Sequence, residues 1–278
     1  MEQNYWTYDN GPYYDSVMLD HFFNELNYWI YEDCFIFKPK FDGLITDYFD
    51  IINKYNKLIF SNYHDESSSI KKIKNNKFYN ESSYTISKFN KPLSNSLDQL
   101  INLTQITFGN SFDQLLANSL DKLINLTHLT FGYYFNQPLA NSLIQLINLT
   151  HLTFGSSFNQ PLTSTLFYLT KLEYLKLGFD FNQELYLPSN IKILTLDCNN
   201  QNLINNLPNS IEQLNLSCKF SLPLDNLPNS IKKIAFNTDS SYNNSLNNLP
   251  KTLEQLELPK KYKLEIKNIP QTVKKLIN

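Results

Sequence analysis

The chain has 278 residues, a net charge of −2 and no arginine; all 24 basic residues are lysine. Near-neutral charge removes the electrostatic pull of a nucleic-acid binder, and the missing guanidinium groups remove bidentate readout of phosphate and guanine. Three cysteines fit a reducing compartment better than a disulfide framework, and no apolar run approaches the roughly 18 residues of a membrane span.

The N-terminal stretch is acidic and aromatic, unlike a secretory leader, so the expected location is intracellular and cytoplasmic. Met18, Leu19, Phe22, Phe23, Leu26, Trp29 and Ile30 follow i, i+3, i+4 spacing, with Asp15 or Ser16 as N-cap. The spacing predicts an amphipathic helix that, with the aromatic residues before it, makes a cap over 1–34. Residues 35–88 read as degenerate repeats. Phe35 and Phe37 suit a strand, and Phe41, Ile45, Phe49, Ile52, Tyr55, Leu58 and Phe60 take inward positions. Residues 64–88 are expected to form a degenerate coil with a bulging loop near His64 to Ser69.

Regularity begins at Phe89. Units open at Phe89, Phe112, Phe135 and Phe158, and Phe181 follows at the same step of 23 residues. A fixed period in this range marks a solenoid. Leu126, Leu129 and Phe131 point inward and Thr130 outward, as in a strand. Gly132 sits where a Cβ would crowd a sharp turn. Phe135 and Leu139 turn back inside, and Pro138 keeps the return extended. Leu143, Leu146 and Ile147 are spaced for one helical or 3-10 turn. One coil buries too little to offset the entropy of ordering it, so coils must stack, with successive strands about 4.8 Å apart in a parallel sheet. The crossover rule makes the stack right-handed.

From 181 to 278 the units shorten. Leu187-Pro188, Leu207-Pro208, Leu227-Pro228, Leu249-Pro250 and Ile269-Pro270 recur at steps of 20 to 22 residues. Leu-Pro is expected to replace the helical turn and to change the curvature.

The residues just before the second inward position of each strand form a row on the concave face. In it, His128, His151, Tyr174 and Ile193 make an aromatic and apolar patch flanked by Gln105 and Gln213, with Lys176 in the neighbouring row. Open sheet faces of solenoids are binding surfaces, and tyrosine is a frequent anchor there. These seven residues are the candidate partner site. A second row, Glu173, Lys192, Glu212, Lys232, Glu254 and Lys274, alternates in sign at each coil and is expected to fix register as a charge ladder. His128 and His151 fall about 5 Å apart, but no Cys, Asp or Glu joins them in their rows, so no metal and no cofactor is expected. Cys198 and Cys218 lie one coil apart and are expected to stack as free thiols. The sequons at Asn102, Asn125 and Asn148 are read as structural, because their Leu is buried and their Thr enters a strand. No catalytic signature is present.

Phe89-Asn90-Lys91-Pro92, Phe135-Asn136-Gln137-Pro138 and Phe158-Asn159-Gln160-Pro161, with the Leu-x-x-Leu-x-Leu/Phe strands, resemble FNIP repeats, a leucine-rich-repeat-like family of amoebae and of the giant viruses that infect them. Phe112-Asp113-Gln114-Leu115 and Phe181-Asn182-Gln183-Glu184 depart from the motif by losing Pro. The resemblance implies a mostly β, right-handed α/β solenoid with a parallel concave sheet, an irregular or 3-10 convex side and an N-terminal helical cap. It also implies a non-enzymatic protein–protein interaction scaffold, in the host cytoplasm if viral. The expected partner is a protein, not nucleic acid or membrane, and the chain is expected to be a monomer. Some members resemble F-box proteins at the N-terminus. That implies an alternative, a substrate-recognition adaptor of a Skp-type ubiquitin ligase with a degenerate N-terminus.

Overall fold

Among the described residues twelve strands form a single sheet, and its spatial order is its sequence order. The computed structural model describes residues 26–62, 86–139 and 141–277. The strands are β1 (Tyr28–Tyr31), β2 (Cys34–Phe37), β3 (Lys57–Phe60), β4 (Gln105–Thr107), β5 (His128–Thr130), β6 (His151–Thr153), β7 (Tyr174–Leu177), β8 (Ile193–Leu196), β9 (Gln213–Leu216), β10 (Lys233–Phe236), β11 (Gln255–Glu257) and β12 (Lys275–Ile277). β1 and β2 form an antiparallel hairpin; every later pair is parallel. Among the described residues three short helices occur in the return segments: α1 (Phe49–Ile52, after a 3-10 turn at Ile45–Tyr48), α2 (Thr163–Tyr168) and α3 (Gln201–Asn205). The architecture is a leucine-rich-repeat-like solenoid.

The 23-residue period turns sequence columns into physical columns. Phe89, Phe112, Phe135, Phe158 and Phe181 are buried and stack at centroid spacings of 6.0–6.3 Å. A second file, Phe60, Phe108, Phe131 and Phe154, stacks at 5.5–5.8 Å and lies against the first. The asparagine after each leading phenylalanine has its own task. Asn90 Oδ1 accepts from the backbone N–H of Asp113 (2.8 Å) and from Gln114 Nε2 (3.0 Å). Asp113, Asn136 and Asn159 repeat this bidentate acceptance toward Asn136/Gln137, Asn159/Gln160 and Asn182/Gln183. In each pair the bond from the backbone N–H satisfies a donor that a strandless return segment would otherwise leave unpaired, and the second fixes the Gln side chain.

Gly132, Gly155 and Gly178 mark the closest approach between coils. A Cβ on each would lie 2.3, 2.1 and 1.8 Å from the carbonyl oxygen of the preceding glycine in the column. None of the described glycines has positive φ, so the requirement is space and not conformation.

Four expectations change. Trp29 and Ile30, assigned by spacing to the N-terminal helix, lie in β1, and Leu26 is exposed in the bend before it; Met18 to Phe23 fall outside the described residues. The aromatic run Tyr28–Tyr31 alternates instead, pairing Ile30 with Phe35 and Trp29 with Ile36, and a two-residue turn with Glu32 at φ 51° closes the hairpin. β3 pairs directly with β4, Lys57 opposite Gln105, where the sequence pattern places a degenerate coil between them. Residues 63–85, with the bulging loop read there, lie outside the described residues. The coils opening at Phe89, Phe112 and Phe135 turn without forming a helix over their described residues, and Ile147 is exposed. Helix is not lost after Phe181 either. Asn200 occupies a buried site in the core, accepts from Leu203 N–H (3.1 Å) as N-cap, and starts α3 with Leu203 and Ile204 buried.

Candidate interaction face

Strand alternation sends one set of side chains into the core and leaves the other on the open face. Register pairs Gln105 with His128, His128 with His151, His151 with Tyr174, Tyr174 with Ile193 and Ile193 with Gln213. Six of the seven candidate residues therefore form one unbroken row. Lys176 lies in the adjacent row, opposite Thr153 and Thr195.

The middle of the row is a ring stack. The His128 and His151 imidazoles lie 4.1 Å apart with planes within 12°, and Tyr174 continues the stack at 5.3 Å. Hydrogen bonds fix the imidazole tautomer. Thr127 Oγ1 is 2.9 Å from His128 Nδ1 and donates its one hydrogen to Thr104 O (2.9 Å). Thr150 repeats this with His151 Nδ1 (2.9 Å) and Thr127 O (3.0 Å). Each hydroxyl has spent its hydrogen, so each Nδ1 must donate and each Nε2 is left as a bare acceptor. Burial holds His128 below the ordinary imidazole value, helped by His151 and Lys57; burial lowers His151 too, against the opposing pull of Glu173. Both rings are therefore neutral near pH 7.

Charges around the row are paired. Lys176 meets Asp197 (2.9 Å), and Lys57 meets Asp33 (3.0 Å). Gln213 donates to Asn215, which donates to Thr195. The six residues of the charge ladder contact in twos: Lys192 with Glu173 (2.6 Å), Lys232 with Glu212 (2.8 Å) and Lys274 with Glu254 (4.0 Å). The hydrogen bond from Lys232 depresses Glu212. These pairs are about half exposed, so each is worth only about 0–1 kcal/mol.

Two features were not anticipated. On the open face at the N-terminal end, Cys34, Ile36 and Ile59 are buried with Trp29 and Tyr31 packed against them. The polar face thus starts at β4. The strand alternation of residues 28–31 was the available signal. At the C-terminal ends of β7 to β10 runs a groove of about 830 Å³, lined among others by Lys176, Asp197, Phe179 and Lys219. Lys219 Nζ sits 4.4 Å above the Phe179 ring. Neither residue belongs to a repeating column, so periodicity could not find them.

Cys198 and Cys218 do not stack. Cys198 is buried and Cys218 exposed, because the turn closed by Phe220 N–H to Ser217 O carries Cys218 at its tip. Of the sequon asparagines, Asn125 and Asn148 donate to Ile101 O (3.0 Å) and Ile124 O (2.8 Å) in the coil before. Among the described residues no three His, Cys, Asp or Glu side chains come together as a metal site, and no helix is long and apolar enough to cross a membrane.

The FNIP Repeat family model matches residues 181–219, beginning at the last phenylalanine of the stacked column. That stretch is similar to an FNIP repeat, and the rest of the chain continues the same leucine-rich-repeat-like solenoid. Among solved structures, the chain is similar to CroV588, a circular LRR protein from a giant virus, at 21% identity and a TM-score of 0.47, over 90% of this chain and 50% of that one. It spans about half the length of CroV588. An internalin from Listeria monocytogenes is similar at 15% identity and a TM-score of 0.38, over 68% of this chain and 77% of that one. No curated protein matches the sequence.

Proposed function

We propose that this repeat protein is a non-enzymatic interaction scaffold that seats a protein partner on the open face, across Gln105, His128, His151, Tyr174, Lys176, Ile193 and Gln213. The observation that carries the reading is the His128–His151–Tyr174 ring stack. It is a contiguous, uncharged strip in the middle of a sheet whose neighbouring charges are already paired. A partner can cover it without stripping water from an unpaired ion, and the aromatic edges supply the anchors that dominate interfaces. The charge ladder fits a role in register, since each carboxylate is matched by an ammonium on an adjacent strand. Affinity purification of the full chain, followed by mass spectrometry, identifies what co-purifies. His151→Ala and Tyr174→Ala are expected to lose the same protein, while Tyr186→Ala on the return side keeps it. Retention of every co-purified protein by both face variants overturns the assignment.

A further inference from the structure

The ring pair has a property beyond its shape. Both imidazoles hang from equivalent threonines, so both Nε2 lone pairs leave the sheet in the same direction from nearly parallel planes. Parallel lone pairs do not converge on one metal ion, which must lie in the plane of each ring it binds. What the arrangement does control is protons. A proton on either Nε2 breaks no hydrogen bond, since each Nδ1 is already a donor. A second proton, however, places two imidazolium rings face to face at 4.1 Å. The surroundings of the two rings differ. Lys57, two strands from His128, opposes charge there although it is held by Asp33. Glu173 lies beside His151 and favours charge there although it is held by Lys192. Tyr174 and the paired Lys176 complete the titratable groups on β7, and β4 presents only Gln105 and Thr107.

We propose that the His128–His151 stack is a proton-responsive element in the partner face, neutral and closed at neutral pH, charged and opened in acid, with His151 taking the first proton. Its use as a switch rests on the partner reading above. The titration itself is read on the chain alone, so either can fail without the other.

The test is NMR of the full chain with labelled histidine between pH 8 and 4, the signals assigned through single substitutions. The expected ring-nitrogen shifts show Nδ1–H and a bare Nε2 on both residues. His151 is expected to titrate below the ordinary imidazole value and His128 lower still. His151→Gln is expected to raise the His128 midpoint by roughly one to three pH units, the scale of a like charge at this separation between full water screening and a protein surface. Glu173→Gln is expected to lower the His151 midpoint. The wild-type curves decide the same point without any variant. Coupled rings titrate in two steps, and independent rings each follow a single simple curve. A His128 midpoint unmoved by His151→Gln, or single uncoupled curves in the wild type, overturns the proposal.

Discussion

Gly155→Ala is the sharpest probe of how the coils stack. The new methyl carbon would lie 2.1 Å from Gly132 O, 2.5 Å from its carbonyl carbon and 2.8 Å from Tyr133 Cα. All three are backbone atoms, so no side chain can swing aside. Non-bonded contact needs about 3.5 Å, so the two coils must part locally by more than about 1 Å. The same two coils carry the Phe131–Phe154 and Phe135–Phe158 stacks at 5.5 and 6.0 Å, which would open with them. Overpacking of this kind costs about 1–3 kcal/mol. The stiffer unfolded chain returns only about 0.4–1 kcal/mol. The net loss is about 1–2 kcal/mol, or a Tm lower by about 2–8 °C for a chain near this size. Thermal unfolding followed by circular dichroism measures it, with the neighbouring Ser156→Ala as control. Gly178→Ala, at 1.8 Å, should cost at least as much. A Gly155→Ala chain that melts within about 1 °C of its parent refutes the close-approach account.

Other outcomes follow from the ladders and the thiols. Asn136→Ala removes the acceptor for Asn159 N–H and Gln160 Nε2 and should cost about 1–3 kcal/mol in urea unfolding, whereas Asn136→Asp should cost little, because Asp113 already fills this role one coil earlier. Glu212→Lys places three lysines in succession on the ladder. It should lower stability by about 1 kcal/mol or less, and the loss should shrink as salt rises; a loss independent of salt would rule out the electrostatic account. Burial pushes the thiols of Cys34 and Cys198 up to about 12, while Cys218 is exposed. An aromatic disulfide reagent at pH 8 should therefore modify one thiol rapidly in the native protein and three after denaturation; rapid modification of two in the native state contradicts the opposed orientation of Cys198 and Cys218.

The open-face row from Gln105 to Gln213 was legible because the repeat is also the stacking distance. Residues one period apart in sequence become cross-strand neighbours, so aligning the units by eye is aligning the strands. Where the chain leaves the period, that shortcut ends. Tyr28 packs on the core side of the hairpin and Trp29 and Tyr31 on its open face, and an apolar run in contact on two sides fits helical spacing as well as strand alternation. Asn200 reads as a loop residue, yet one acceptor at Leu203 N–H is enough to start a helix in the shortened units. The ladder was visible as alternating sign. Its grouping into three pairs was not, because that depends on lysine rotamers. The tautomers of His128 and His151 depend on where each threonine spends its single hydrogen, which no spacing encodes.

The direct pairing of β3 with β4 bears on how the protein assembles. Elsewhere in the parallel sheet paired residues stand 19–23 positions apart, below roughly a tenth of the chain, the range of fast folders. Such a stack can nucleate anywhere in its regular middle and grow one coil at a time in both directions. At this single joint the bonded residues, Asn56 and Thr104, are 48 positions apart. Growth from Phe89 toward the N-terminus has to wait there for a longer loop to close. The hairpin, α1 and β3 should then be the last part to join, and the first to let go when the chain is pulled or heated.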